Sequence, residues 1–375
     1  MIKIIPRLSI LEMTAVKKSL LLLISHSCNL NCKYCYEWHK DSRLMSWDQA
    51  RHILESEFLS CTEEIDSVDL LGGEPLMNFP LIKKISDWVW DNSPSTKIFA
   101  RTNGTLLNEE MKQWFTDNRD RFILGLSLDG TPEMNKINRG FMSADLKFFL
   151  ANWPGNPIKM TLFPSSIQYL HESLIHLYSQ GAEVIAGLAQ GVLWDDTSCK
   201  ILGSELDKLN DYYLSDTNIP PVEPLYDLNF EKAFWVMPLD IKENACWNNA
   251  NIHSYDCDGE RLPCHMFSTI VQGSDKRSRI LRDMISINEE IVCDECRVCP
   301  IRWSCKNCMA MNYQHTGDFG KNINLRFSCE AQKIVAEASA VYLIGLLSDK
   351  ASLSELETEK LGNAIKYYRL RHSVS

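Results

Sequence analysis

Six apolar runs alternate with six helical patterns between residues 19 and 215, and this alternation constrains the fold more than any other feature of the 375-residue chain. The runs lie at 19–25, 66–71, 96–101, 122–128, 158–163 and 182–188. The first contains Leu20–Ile24, a continuous apolar stretch of strand length, as expected of a strand buried on both faces. Between the runs, apolar residues recur at helical spacing. Trp47, Ala50, Leu54 and Phe58 form one such face, with Ser46 as N-cap and Gln49 as its capping-box partner. Leu81, Ile85, Trp88 and Val89 form the next, and Met111, Trp114 and Phe115 the third. Leu146, Phe149 and Leu150 follow, then Ile167, Leu170, Leu174 and Tyr178, stopped by Gly181, and finally Leu202, Leu206, Leu209 and Tyr213. Strand–helix alternation means βαβ units and a parallel sheet. Six units are too few for a closed eight-stranded barrel, so the α/β fold expected is an open, partial (βα)6 barrel. Such sheets bind ligands at the strands' C-terminal ends. Cys28, Gly72–Pro75, Thr102–Gly104 and Ser127–Gly130 should therefore meet on one rim.

The alternation stops near 216. Pro220, Pro221 and Pro224 mark a linker. From there to about 329 the chain is dense in cysteine and poor in regular periodicity. An Ala-rich apolar helix is expected over Cys329–Leu347 and a polar one over Ser352–Leu370. The expected division is an arm at 1–17, the barrel at 18–218, a linker at 219–240, a Cys-rich domain at 241–335 and a helical segment at 336–375. The net charge of −10 argues against a nucleic-acid partner. The chain has no run of 18 apolar residues, and Arg7, Glu12, Lys17 and Lys18 interrupt any signal-peptide pattern, so a cytoplasmic protein with no membrane partner is expected. In a reducing compartment, 14 cysteines point to metal rather than to disulfides.

Cys28, Cys32 and Cys35 have C-x3-C-x2-C spacing directly after the first strand. Three thiolates on a four-iron cubane leave one iron open to a small molecule, whereas an electron-carrying cluster takes four. A zinc knuckle with His26 or His39 as fourth ligand, or a disulfide pair, is the alternative. Gly72–Gly73–Glu74–Pro75 ends the second run. Its glycines let backbone approach a ligand, and a strand's final carbonyls can accept from an ammonium, although the same residues make ordinary turns. A second cysteine group comprises Cys246, Cys257 and Cys264, then Cys293, Cys296, Cys299, Cys305 and Cys308, and last Cys329. A zinc ribbon is the alternative there. Cys61 and Cys199 stand alone and read as small buried hydrophobes.

Over residues 18–335 these motifs resemble those of radical S-adenosylmethionine (SAM) enzymes with a C-terminal SPASM domain, most closely the maturases of ribosomally synthesised peptides. The resemblance implies a [4Fe–4S] cluster on Cys28, Cys32 and Cys35, with the amino and carboxylate groups of SAM on its open iron. Gly72, Gly73, Glu74 and Pro75 would receive the methionine amino group. Asn103 lies in a further stretch similar to the family's, Ser127 is a candidate hydroxyl for the ribose or the carboxylate, and Arg139 could pair with the carboxylate. Cleavage of SAM would yield a 5′-deoxyadenosyl radical that abstracts hydrogen from substrate. By position, Cys296, Cys299, Cys305 and Cys329 would hold one auxiliary cluster. Cys246, Cys264 and Cys308 would hold the other, with Cys257 expected as its fourth ligand and Cys293 unassigned. Three cubanes carry about 12 irons. The final pair is C-x2-C where the family has C-x3-C.

The resemblance also implies a ribosomally made precursor peptide as substrate, a separate leader-binding protein, and a reductase, flavodoxin or ferredoxin as electron donor. The outcome would be a crosslink, a thioether or another oxidation, or an epimerisation. Sulfatase maturases carry a basic Asp after the Gly-x4-Cys cysteine. Here His265 follows Cys264, which departs from that branch while leaving His265 a candidate acid or base, or a structural imidazole. A sulfatase-maturase-like protein oxidase and a non-enzymatic iron–sulfur electron carrier are the competing functions.

Overall fold

In the computed structural model the described residues are 18–59, 64–216, 218–223, 225–226, 230–234, 251–276, 279–280, 294–305, 307–319 and 321–373. The arm at 1–17, much of the linker, and Cys61, Cys246 and Cys293 lie outside them.

The six apolar runs form β1 (Lys18–Ser25), β2 (Ile65–Gly72), β3 (Lys97–Thr102), β4 (Phe122–Leu126), β5 (Ile158–Leu162) and β6 (Val184–Leu188). Between and after them come α1 (Trp47–Leu59), α2 (Phe79–Asn92), α3 (Glu109–Asn118), α4 (Pro132–Arg139), α5 (Leu146–Asn152), α6 (Leu170–Ser179) and α7 (Asp196–Ser215). β1 to β4 pair in parallel in chain order, and β5 pairs in parallel with β6. A bridge between Ser127 and Lys159 and the bond from Leu128 N to Lys159 O (3.0 Å) carry β4 over to β5. The six strands thus run in sequence order around a partial barrel. At the start of α1, Ser46 N donates to Gln49 Oε1 (2.8 Å) and Gln49 N to Ser46 Oγ (3.2 Å), the reciprocal bonds of a capping box.

Alternation along each strand separates two environments. Ile98 and Ala100 on β3, and Ile158, Met160 and Leu162 on β5, are buried in a core shared with Ile53, Ile82, Ile85 and Phe115 of the helices. Arg101, Lys159 and Thr161 face the barrel interior and line a cavity there. β1 is buried on both faces, as its unbroken apolar run requires. Leu20, Leu22 and Ile24 join the helix-side core, whereas Leu21 and Leu23 pack with Met266, Phe267 and Ile270 from the C-terminal half.

Those C-terminal contacts include a strand that the sequence reading passed over. β7 (Ile252–Tyr255) pairs in parallel with β1, and β8 (Arg261–Leu262) pairs antiparallel with β7. The sheet order is β4-β3-β2-β1-β7-β8. The region is therefore more regular than its periodicity implied. His253 and Ser254 are buried polar residues, and they break the apolar pattern that marks a strand. His253 Nδ1 lies 2.7 Å from Glu57 Oε2, and the Tyr255 hydroxyl donates to the other oxygen, so the buried carboxylate of α1 is satisfied by two residues of β7.

The helix Cys329–Ser348 is long and apolar enough to cross a membrane by length and composition alone. Here Ala331, Ala338 and Tyr342 enter the main core, and Ala336, Ala340, Leu343 and Leu347 enter a third with Phe230, Ile301 and Tyr367. Asn210 Nδ2 of α7 donates to Ala338 O at 3.2 Å. The final helix, Glu355–His372, covers it through Arg371 Nε to Glu337 Oε2 at 2.9 Å.

Candidate active site

The strand ends converge as the topology requires. Gly73 N donates to Ser25 O (2.8 Å) and Glu74 N to Ser27 O (2.9 Å), tying the end of β2 to the backbone that leads into Cys28. The glycines permit this contact. A Cβ on Gly73 would stand 2.6 Å from Ser27 O and 2.9 Å from Cys28 Cβ, and one on Gly72 would stand 2.2 Å from Ser25 O. Gly72 also has φ of 152°, where a side chain is strained.

The cysteine loop is held at several points. Leu30 N donates to Cys28 Sγ (3.4 Å), Lys33 N to Asn138 O (2.8 Å) and Cys35 N to Cys32 O (3.1 Å). Asn103 Nδ2 donates to Asn29 Oδ1 (3.0 Å), while Asn103 Oδ1 accepts from Thr105 N and Thr105 Oγ1. Asn103 is thus a tie between the β3 end and the loop. Glu74, 1 % exposed, is a tie as well. It accepts from Leu76 N (3.1 Å), Thr102 Oγ1 (2.7 Å) and Asn103 N (2.9 Å). Burial raises its pKa against those bonds. Pro75 opens the short 3-10 turn Pro75–Asn78 that follows.

Asp129, just beyond β4, is a hub that the sequence reading missed. It is fully buried and pairs with Arg139 Nη2 at 2.9 Å. Its oxygens also accept from Tyr34 OH (2.8 Å), Asn138 Nδ2 (3.1 Å) and Thr161 N (3.0 Å). It therefore joins the cysteine loop, α4 and β5. Its one sequence signal was an acid lodged between apolar Leu128 and the glycine that starts a turn. Burial disfavours the Arg139 charge, yet Asp129 and Tyr34 hold its pKa above the ordinary value. Arg139 lines the cavity, and its buried Nε has no hydrogen-bond partner.

A second missed contact lies behind the loop. His26 Nε2 is 2.6 Å from Asp256 Oδ1, both fully buried. Asp256 also accepts from Thr269 N (2.9 Å), Thr269 Oγ1 (3.0 Å) and Cys257 N (2.8 Å). Burial opposes its ionisation, but these partners keep the carboxyl well below the usual range.

One cavity of about 540 Å³ opens at these strand ends. Cys28, Cys32, Cys35, Gly72, Gly73, Glu74, Asn103, Ser127, Arg139 and His265 all line it. It continues past Lys159, Thr161 and Gly187 to Ile301, Cys305, Cys308 and the Cys329–Ser348 helix. Burial pushes the Cys28 thiol up to about 11 and raises Cys32 and Cys35. Thiols so placed stay neutral unless a metal deprotonates them. Three half-buried sulfurs around a cavity beside a strand end whose glycines leave no room for a Cβ fit a cluster with an exposed metal position. Burial drives the His265 imidazole down to about 4 and raises Glu37 to about 7.

A second cavity, about 590 Å³, is lined by Cys296, Cys299, Cys305 and Cys329. Burial first, then the neighbouring Cys299, Cys296 and Cys329 charges, push Cys305 up to about 12. Asn322 Nδ2 donates to Cys296 Sγ at 3.1 Å. Cys264 and Cys308 pack on the same apolar cluster as Tyr36. Cys257 lies apart. It is 2 % exposed in the main core, and its charged neighbours are Asp256, Arg43, Asp258 and Asp41. Cys199 is buried in that core too. Among the described residues, no three His, Cys, Asp or Glu side chains converge on a single metal ion.

Fold and site together define a partial-barrel protein with a three-cysteine loop at the barrel mouth and a cysteine-lined C-terminal half. Residues 22–143 match the radical SAM superfamily. Among curated proteins it is 35% identical over 126 residues to an uncharacterized protein of Methanocaldococcus jannaschii, covering 33% of this chain and 42% of that one. It is 33% identical over 125 residues to the cysteine-type anaerobic sulfatase-maturating enzyme of Clostridium perfringens, covering 31% and 33%. The matches thus span less than half the length of these relatives. In fold it is similar to anSMEcpe with bound AdoMet, with a TM-score of 0.65 at 17% identity over 92% of this chain and 98% of that one. Streptococcus suis SuiB bound to precursor peptide SuiA gives 0.55 at 15% identity over 84% and 76%.

Proposed function

We propose that the chain is a radical SAM enzyme that abstracts hydrogen from a peptide and so modifies it after translation, as in the maturation of ribosomally made peptides. The observation that carries this reading is the single cavity joining the Cys28–Cys35 loop to the C-terminal cysteines through the barrel interior. Cys28, Cys32 and Cys35, which line the cavity, would hold a [4Fe–4S] cluster, and that cluster with SAM would supply the radical chemistry. Gly72 and Gly73 bring backbone close to the methionine end of SAM. Arg139 and Ser127, both on the cavity wall, would take its carboxylate. Leu188, Ala189, Val335 and Ala336 form apolar wall that keeps water from the reacting atoms. Cys296, Cys299, Cys305 and Cys329 hold an auxiliary cluster. Cys264 and Cys308, with Cys246, hold another, whose fourth ligand we assign to no described residue. Clusters held there would supply an acceptor for the electron that an oxidative outcome releases. His265 is an imidazole on the same wall, beside Cys264. The protein works in the cytoplasm with a flavodoxin, ferredoxin or reductase as donor and a precursor peptide as partner.

A second reading, oxidation of a sulfatase-type substrate, is favoured by the relatives at 33% identity and by the fold shared over nearly the whole chain. One experiment separates the two. Anaerobically reconstituted protein receives dithionite, SAM, peptides from neighbouring small reading frames and, separately, a sulfatase active-site peptide. 5′-Deoxyadenosine and peptide mass are read together. Cofactor cleavage with the mass of a small-frame peptide lowered by a pair of hydrogens supports maturation. Change in the sulfatase peptide alone supports the second reading. No cleavage by protein with intact clusters overturns both.

A further inference from the structure

We infer that the barrel interior holds a substrate carboxylate on the guanidinium of Arg101. This inference rests on the reading of the cavity as a peptide site and names the chemistry of what enters it. Arg101 is on the interior face of β3 and lines the cavity together with Lys159 and Thr161 of β5. Its register partner on β4 is Gly125. A Cβ there would stand 3.2 Å from Arg101 Cζ and 3.3 Å from Nη1. The guanidinium lies flat across that glycine, which explains an otherwise unfavourable glycine inside a strand. On the other side, Gly187 of β6 pairs with Thr161 and also lines the cavity. Nothing lies within 4 Å of where its Cβ would be, so the interior keeps open volume on that side.

The charges point the same way. Arg139 already has a carboxylate at 2.9 Å, from Asp129. Arg101 has none within 4.0 Å among the described residues, and its one hydrogen bond is a long contact to Leu126 O at 3.5 Å. Asp69 attracts it from farther away, while Arg139 repels it. A half-buried guanidinium beside a second cation is costly unless something anionic joins it. Lys159 on the same wall adds positive charge. The planar fork of arginine matches a carboxylate in a way that lysine does not. On the proposed function, the SAM carboxylate goes to the Arg139–Ser127 end of the cavity. The anion left for Arg101 is an Asp or Glu side chain of the peptide, or its C-terminus.

The test uses full-length reconstituted protein with SAM and a pool of short alanine peptides. All are capped at both ends and differ at one central position, Asp, Glu, Asn or Gln. One further all-alanine peptide has a free C-terminus. Retention is measured by equilibrium ultrafiltration and mass spectrometry, with N-acetylaspartate as a non-peptide probe and SAM affinity read in parallel. Wild type should retain a carboxylate peptide about tenfold over its amide partner. Arg101→Gln should erase that preference, and Arg101→Lys should restore it in part. Preference for Asp or Glu identifies a side chain, and preference for the free C-terminus identifies the chain end. Equal retention of acidic and amide peptides, unchanged in Arg101→Gln, overturns the inference and leaves the peptide reading standing. Weaker SAM binding in Arg101→Gln with an unchanged peptide ratio assigns Arg101 to SAM and overturns it as well. Arg101-dependent binding of N-acetylaspartate with no peptide retained supports the carboxylate site and removes the peptide reading.

Discussion

Replacing Asp129 with alanine should destabilise the protein more than any other single change at the barrel mouth. The carboxylate is fully buried and pairs with Arg139, which is only 6% exposed. Removing one partner of a buried ion pair costs roughly 3–5 kcal/mol, because the other charge is left without compensation. Tyr34, Asn138 and the Thr161 amide also lose their acceptor. An unsatisfied buried donor costs about 1–3 kcal/mol, although donors that share one acceptor do not add independently. We therefore expect Asp129→Ala to lose roughly 3–5 kcal/mol in urea unfolding followed by circular dichroism under anaerobic conditions. Asp129→Asn keeps an acceptor for Arg139 and Thr161 but turns an amide toward Asn138, so its loss should be smaller. The double variant Asp129→Leu with Arg139→Met has no stranded charge and should recover part of the loss. An Asp129→Ala protein within about 1 kcal/mol of wild type would refute the reasoning, as would a double variant no better than the single one.

Other outcomes follow from the same geometry. Cys32→Ala should abolish 5′-deoxyadenosine formation and lower iron from about 12 to about 8 per chain, while spectra of the remaining clusters persist. Ser46→Ala removes one of the two reciprocal bonds at the start of α1 and should cost about 0.5–2 kcal/mol in the same unfolding assay. Burial lifts Asp69 to about 6, against the pull of Ser67 and Arg101. A carboxyl raised on folding weakens the native state as pH climbs from its unfolded pKa, about 3.9, through its folded one. The melting temperature of Asp69→Asn relative to wild type should therefore rise between pH 5 and pH 7 and then level off, and a flat difference would contradict the assignment.

How much of this could be read from the sequence depended on distance along the chain. β1 to β6 were legible because each is a short apolar run, and the α1 cap was legible because Ser46 and Gln49 stand three residues apart. The Cys28–Cys35 loop declared itself by spacing. Cys296, Cys299, Cys305 and Cys329, grouped by position in the sequence, line one cavity. β7 was not legible, since its buried His253 and Ser254 carry no periodic signal until Glu57 is brought against them. His26 and Asp256 are 230 residues apart and nothing local couples them. Glu74 and Asn103 stood in the right motif, but their hydrogen bonds tie strand ends together, a duty visible only once β2 and β3 lie side by side.

The place of β7 beside β1 sets the order in which the molecule can be finished. β1 launches the cysteine loop and is made well before β7, yet one of its edges stays bare until Ile252–Tyr255 arrives. At ribosomal speeds the stretch from Ser25 to Ile252 takes roughly 10–50 s to synthesise. During that time the nascent chain presents an apolar, unpaired strand edge, the kind of surface that chaperones cover and other chains adhere to. A fragment ending at 218 would keep that edge permanently. The barrel is therefore not an independent unit to which a C-terminal half was added, because its first strand is completed by a strand more than 220 residues further along the chain.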